Sequence, residues 1–96
     1  MARKDPQALS ALMHELMKKL DAGTKLGEAT IVSAWQDVSG PQIANVTEKV
    51  WVEKKRLFVK IRSAPWRYEL HLQRRDWCDR VNEKLGKRVI EEVIFR

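Results

Sequence analysis

The residues of this sequence that could do chemistry are basic and aromatic side chains in its second half. Two alternating segments, "VTEKVWVEK" and "RLFVKIRS", place aromatic rings and cations on one side of two predicted neighbouring strands. Such a sheet face can bind single-stranded nucleic acid, because bases stack on the rings and cations neutralise phosphates. The candidate nucleic-acid-binding residues are Trp51, Lys54, Lys55, Arg56, Phe58, Lys60 and Arg62.

The same pattern also has a purely structural interpretation. If the N-terminal helices cover this face of the sheet, Trp51 and Phe58 are core residues and contact no ligand. The first predicted helix carries an apolar stripe that must be buried on something, which favours this interpretation. The alternation of residues does not distinguish the two possibilities.

The net charge of +6 is unevenly distributed along the chain. Residues 1–48 contain five Lys/Arg and six Asp/Glu, whereas residues 49–96 contain fourteen Lys/Arg and seven Asp/Glu. A basic half of this kind suggests a polyanionic partner. A basic soluble domain with an ordinary solvated face would have the same excess of Lys and Arg. The charge alone therefore does not distinguish a polyanion-binding surface from a solvated one.

Groups for catalysis or metal binding are sparse. The two histidines, His14 and His71, are isolated from each other in sequence and cannot complete a structural zinc site. Cys78 lies beside a predicted apolar stripe, where a buried, inert thiol is expected. The chain has no GxxxxGKS/T loop and no GxGxxG motif. We therefore expect a protein that is not an enzyme and that has no cofactor and no metal site.

Length and composition predict one domain over residues 5–96. A chain of 96 residues with 44% hydrophobic and 33% charged residues is typical of a single globular domain with one core. Its single cysteine excludes an intramolecular disulfide. No apolar run approaches membrane-spanning length, and the start "MARKDP" is not a signal peptide. We expect a cytoplasmic protein without membrane contact, whose oligomeric state the sequence leaves open.

Helical periodicity in the first half predicts two helices. An N-cap and a first-turn proline at 5–6 begin the first helix, and Gly23 ends it. The second helix should span residues 26–38, break at Gly40 and restart as a short turn at Pro41.

The second half predicts a hairpin, a long helix and a closing strand. The alternating segments meet at a polar turn, 54–56, and should pair as an antiparallel hairpin. Ser63 should cap a helix of about 22 residues that buries Trp66 and Trp77 and ends at Gly86. The tail "RVIEEVIFR" should then form a strand parallel to the second. The predicted class is α+β, in the order α-α-β-β-α-β, with a three-stranded mixed sheet packed with helices.

Three polar side chains lie at the margin of the long helix's apolar stripe. They are explained either as side chains whose stems cover the core edge, or as a contact surface together with Trp66 or Trp77. Trp66 itself is expected to anchor the start of the helix to the sheet. The candidate partner-binding residues are Arg67, His71 and Arg74.

Taken together, the segments "AWQDVSGPQIANVT", "RLFVKIRSAPWRYELH" and "LGKRVIEEVIFR" resemble the bacterial DciA-like family, long known only as a domain of unknown function. The resemblance spans about residues 26–96, and the order and spacing of its motifs are more specific than any one position. The matching positions are Trp35, Val38, Gly40, Ala44, Thr47, Leu57, Val59, Ser63, Trp66, Glu69, Leu70, Leu85, Gly86, Ile94 and Phe95.

This resemblance implies a KH-like fold, DNA binding, and association with the DnaB-type replicative helicase to help place it on DNA. The expected function is thus a non-enzymatic accessory role in DNA replication, as a helicase loader that binds single-stranded or forked DNA. The alternatives are a protein-binding adaptor without nucleic-acid contact and an RNA-binding protein.

Two departures from the family pattern qualify this expectation. KH domains that clamp RNA use a GxxG loop, whereas Gly23 and Gly27 are one residue too far apart for one, so any nucleic-acid contact should rest on charge and stacking. Family members often carry a disordered tail beyond the closing strand. If that tail contributes to loading, this chain is expected to bind the helicase without loading it, or to do something else.

Overall fold

The computed structural model describes residues 19–96. The first predicted helix lies outside them up to residue 18, and its predicted end, residues 19–23, is not helical. The described chain forms one three-stranded sheet in the order β1-β2-β3, in which β1 and β2 are antiparallel and β2 and β3 are parallel. The α+β class and the parallel closing strand are therefore confirmed. The elements are α1 (Lys25–Val46), β1 (Thr47–Glu53), β2 (Arg56–Ile61), α2 (Ala64–Leu72), α3 (Arg74–Leu85) and β3 (Glu92–Phe95).

Helix α1 begins at a side-chain cap and is interrupted once. The Thr24 hydroxyl accepts a hydrogen bond from the Gly27 N–H at 2.9 Å. Gly40 adopts φ 80° and ψ 178°, a conformation open to glycine, and Pro41 restarts the helix. The predicted interruption is confirmed, although the restarted helix runs on to Val46 and is longer than the short turn expected.

The β1–β2 hairpin closes through a two-residue turn of unusual composition. Glu53 pairs with Arg56, and the two residues between them, Lys54 and Lys55, have φ angles of 50° and 63°. Turns of this geometry favour Asn-Gly, because a side chain with a Cβ is strained at positive φ by about 1–2 kcal/mol. The Lys55 carbonyl accepts a hydrogen bond from the Glu91 N–H at 2.8 Å, which ties the turn to the loop before β3.

The prediction of one long helix after the hairpin was wrong. The Ser63 hydroxyl does face the Trp66 N–H, at 3.5 Å, but the helix breaks at Gln73, which has φ −102° and ψ 14°. The break ends the 3.6-residue register that would have placed Trp66 and Trp77 on one face. Leu70 and Trp77 are buried, whereas Trp66 is 36% exposed and does not anchor the helix in the core.

The hydrophobic core lies between one face of the sheet and helices α1 and α3. Leu57, Val59 and Phe95 point into it from the sheet. The indole of Trp35, on α1, packs edge-on against Trp77 of α3 at 5.2 Å between centroids and lies 5.7 Å from the Phe95 ring. Residues that alternate with these along the strands therefore point away from α1 and α3.

A buried asparagine connects α3 to the segment that leads into β3. The Asn82 Oδ1 accepts from the Val89 N–H at 2.8 Å and the Ile90 N–H at 3.0 Å, while its Nδ2 donates to the Ile90 carbonyl at 3.0 Å. The Cys78 thiol faces the same carbonyl at 3.7 Å, and burial raises its pKa. This cluster fixes the start of β3 beside the turn of the hairpin.

Candidate nucleic-acid interface

The face of the sheet that points away from α1 and α3 is called here the outer face. It carries aromatic, aliphatic, basic and acidic side chains, with the basic ones in excess. From β1 to the end of β3 it consists of Lys49, Trp51, Glu53, Arg56, Phe58, Lys60, Glu92, Ile94 and Arg96.

Trp51 and Phe58 form a ring pair at the centre of the outer face. They are direct neighbours across the β1–β2 ladder, and their rings stack with centroids 5.3 Å apart and an interplanar angle of 7°. Phe58 is only 3% exposed, whereas Trp51 is half-buried. The structure thus brings both predicted rings together, but the indole is the ring that remains accessible.

Three cations surround the ring pair. The guanidinium groups of Arg56 and Arg96 lie 5.7 Å and 5.0 Å from the centroid of the Phe58 ring, and the Lys49 ammonium lies 5.1 Å from that of Trp51. Distances of this size correspond to cation–π contacts. Lys49 and Arg96 were missing from the sequence-based candidates. Strand alternation could have identified Lys49, two residues before Trp51, but Arg96 depends on the parallel register of β3.

The hairpin turn adds two more cations at one end of the sheet. Lys54 and Lys55 are exposed and, at about 3.3 Å per strand residue, lie about 10 Å from the ring pair. Arg56 belongs to β2 rather than to the turn, and its register partners are Glu53 and Glu92. The two lysines are therefore the candidate residues that project farthest along the sheet toward solvent.

The remaining two candidates, Lys60 on β2 and Arg62 just after it, contact other residues of the protein. The Lys60 ammonium lies 3.4 Å from the Glu48 carboxylate. The Arg62 side chain donates a hydrogen bond to the Asn45 carbonyl, and its backbone N–H donates to Val46 at 2.9 Å. The Lys60 contact lies within the hairpin, between β2 and β1, and the Arg62 contacts join the hairpin to the end of α1. These two cations are therefore less available to a ligand than those near the turn.

The candidate partner-binding residues divide into two groups. Arg67 is half-buried, and its Nη2 donates to the Ile61 carbonyl at 3.2 Å, so it connects α2 to the end of β2. His71 and Arg74 are exposed at the break between α2 and α3, where Arg74 Nη1 donates to the His71 carbonyl at 3.1 Å. The structure brings His71 and Arg74 into contact, whereas the Arg67 side chain is bonded to the end of β2.

Next to His71 and Arg74, helix α2 exposes large apolar side chains that the sequence analysis did not select. Tyr68 is 64% exposed and Leu72 is 58% exposed, and their four-residue spacing puts them on one face of the helix. We call Tyr68, His71, Leu72 and Arg74 the α2 surface. The α2 surface could have been identified from the sequence, because Tyr68 and Leu72 lie on the side of the helix opposite the buried Leu70.

The structure offers little for other kinds of chemistry. Within residues 19–96, no group of three or more His, Cys, Asp or Glu side chains could hold a metal ion. No helix in the described part of the chain is long and apolar enough to cross a membrane. The concentrated features are therefore the cation-lined outer face and the α2 surface.

Comparison with known proteins agrees with the motifs in the sequence. The family model described as "Dna[CI] antecedent, DciA" matches residues 8–95. A UPF0232 protein of Corynebacterium glutamicum is 23% identical over 87 residues, which cover 91% of this chain and 49% of the relative. UPF0232 proteins of Mycobacterium ulcerans and Mycobacterium marinum are each 26% identical over 90 residues, covering 94% of this chain and 48% of the relative.

The chain thus spans about half the length of the curated relatives it matches. The identities are low, but the family model extends over nearly the whole sequence. On that match, this protein belongs to the DciA family.

Proposed function

We propose that this protein is a non-enzymatic accessory factor of DNA replication that binds single-stranded or forked DNA and associates with the DnaB-type replicative helicase. Family membership supports the replication role. The observation that carries DNA binding is the outer face, where Lys49, Arg56 and Arg96 surround a ring pair with an accessible indole. Stacking on an aromatic ring combined with nearby cations is how sequence-tolerant single-strand binders hold their ligand. The same proposal includes a single domain over residues 5–96 that acts in the cytoplasm.

The backbone strain in the two-lysine turn is a second observation that supports DNA binding. Lys54 and Lys55 occupy two positive-φ positions at which Asn-Gly would be more stable. Local choices that reduce stability are concentrated at functional sites, where the side chain serves another purpose. Two exposed ammonium groups on neighbouring residues of one turn are suited to contact the phosphates of a strand that crosses the outer face.

Replacing the two turn lysines by Asn-Gly, which this turn geometry favours, separates the effect of the turn on stability from its effect on DNA binding. The double variant Lys54→Asn/Lys55→Gly should raise the free energy of unfolding by about 1–2 kcal/mol, because the strain at positive φ is relieved. It should also lower the affinity for single-stranded DNA by about tenfold or more, because two phosphate contacts are lost. Urea denaturation measures the first effect, and fluorescence anisotropy with a labelled thymidine oligonucleotide measures the second.

A matched control removes two cations from the opposite side of the domain. The variant Arg75→Gln/Lys84→Gln changes exposed positions of α3 and has the same net charge as the turn variant. Its affinity for single-stranded DNA should stay within about threefold of the wild-type value. Equal losses in both double variants would show that net charge, and not the turn, attracts DNA. Tighter binding to RNA of the same sequence would favour the RNA-binding alternative.

The helicase contact is proposed to involve the α2 surface. Exposed aromatic and aliphatic side chains beside an arginine are typical of protein interfaces. The double variant Tyr68→Ala/Leu72→Ala should therefore weaken binding to a purified DnaB-type helicase by about tenfold or more, without changing DNA affinity. Biolayer interferometry with immobilised helicase would measure it.

Leu26 provides the control for this experiment. It is 75% exposed on α1, so Leu26→Ala removes an equally accessible apolar side chain elsewhere on the domain. Helicase affinity should be unchanged in this variant. If the α2 double variant also binds the helicase normally, the contact lies on another surface.

A further inference from the structure

The ring pair has a different environment on each of its two sides. Trp51 lies on β1, an edge strand, whereas Phe58 lies on β2, which is flanked by strands on both sides. Because the two rings stack face to face, Phe58 covers one face of the indole. The other face points past the edge of the sheet, where no strand of residues 19–96 follows.

Phe58 is not accessible for stacking. It is 3% exposed, with Trp51 on one side and the guanidinium groups of Arg56 and Arg96 over its ring. Its register partner on β3 is Ile94, an aliphatic residue. Phe58 therefore supports the Trp51 indole by stacking on it, and a base cannot stack on Phe58 itself.

The outer face has no other aromatic residue in the described part of the chain. The rings of Trp35, Trp77 and Phe95 are buried on the opposite face of the sheet, and Trp66 and Tyr68 lie on α2. Extended single-strand binders stack successive bases on several aromatic side chains. Here the number of such positions on the outer face is one.

Cations are positioned around this single stacking position. The Lys49 ammonium lies 5.1 Å from the indole centroid, and a stacked base would take its place while the flexible lysine moved to a neighbouring phosphate. On the other side of the ring pair, Arg56 and Arg96 are available for a second phosphate. The arrangement provides one stacking position with cations on both sides of it for the phosphates of a bound strand.

We propose that the outer face binds a single unpaired nucleotide, with its base stacked on the exposed face of Trp51, while Lys49, Arg56 and Arg96 contact phosphates of the strand on either side of the ring pair. This inference rests on the proposed DNA binding and specifies its ligand. A site of this kind suits DNA in which one base is unstacked, as at the junction of a fork, and does not require a long single strand.

Three octamers test the inference by anisotropy: eight thymidines, eight abasic sites, and abasic sites with one central thymidine. The single thymidine should raise the affinity about 5- to 100-fold over the fully abasic octamer, the effect of one base–aromatic stack. The eight-thymidine octamer should gain at most about eightfold more, the statistical effect of eight equivalent bases. In the variant Trp51→Leu, the single-thymidine octamer should bind no better than the abasic one.

The outcomes separate this inference from the proposed function. If the eight-thymidine octamer binds but the single thymidine adds nothing to the abasic octamer, several bases are needed and the one-nucleotide site is wrong. If the abasic octamer binds as tightly as eight thymidines, DNA binding stands but no base is stacked. If none of the octamers binds, and neither does forked DNA, the proposed DNA-binding function itself fails.

Discussion

Replacing Asn82 by leucine is expected to lower the free energy of unfolding by about 3–5 kcal/mol, although the two side chains are similar in size. The carboxamide makes three hydrogen bonds to the backbone of Val89 and Ile90, all of them buried. Leucine would leave two buried N–H groups without a partner, each costing about 1–3 kcal/mol. The total stability of a domain of this size is about 5–15 kcal/mol, so the loss is a large fraction of it.

Urea denaturation followed by tryptophan fluorescence would measure this loss. The control is Glu83→Ala, the next residue along α3, whose side chain is exposed and whose replacement should change stability by less than about 0.5 kcal/mol. A loss below about 1 kcal/mol for Asn82→Leu would mean that water satisfies the 89–90 backbone and that the asparagine does not hold β3 in place.

Replacing Trp51 by leucine is expected to weaken binding to single-stranded DNA by about 5- to 100-fold, because one base–aromatic stack contributes about 1–3 kcal/mol. Leucine still covers part of Phe58, so stability should change by no more than about 1 kcal/mol. Trp51→Phe keeps a ring that a base can stack on and should lose less affinity. Anisotropy titrations and thermal melts on the same samples would separate binding from folding.

The matched control is the other exposed tryptophan. Trp66 lies on α2, away from the outer face, and Trp66→Leu should leave DNA affinity within about twofold of the wild-type value. The opposite result, in which Trp66→Leu weakens binding and Trp51→Leu does not, would move the stacking site to α2. Equal binding by all variants would show that DNA contacts this domain through phosphates alone.

The two predictions depend on the structure to different degrees. Trp51 was identified as a candidate nucleic-acid-binding residue from the alternation of side chains along the strand, which is a local property of β-structure. Asn82 was not singled out from the sequence, because an asparagine in a helical pattern is usually exposed. Its partners, Val89 and Ile90, come close to it only because the chain turns back after Gly86, where φ is 82°.

Some predictions depended mainly on local sequence patterns and were therefore correct from the sequence alone. The hairpin followed from two alternating segments, and the interruption at Gly40 followed from a glycine that precedes a proline. The parallel third strand followed from the need for a crossover between parallel neighbours. The family motifs likewise identified the chain as DciA-like, which the family model confirms.

Other features depended on packing between distant segments. The break at Gln73 contains neither glycine nor proline, so periodicity favoured one helix where the structure has two. Arg62 is bound to the end of α1, whereas the turn lysines are exposed, and this difference depends on where α1 ends relative to the hairpin. No spacing within one strand encodes such contacts.

The ring pair shows most clearly which properties follow from the sequence and which depend on the tertiary structure. The sequence by itself determined that Trp51 and Phe58 lie on one face of a basic hairpin, because side chains alternate along strands. Only the tertiary structure decided that they differ in role. Strand order places Phe58 in the centre of the sheet, enclosed by side chains from both neighbouring strands. It leaves Trp51 at the edge, half-buried, with the Lys49 ammonium over its ring and Phe58 stacked on it. Accessibility depends on neighbours brought together by folding, and the parallel pairing of β3 with β2 supplies them here.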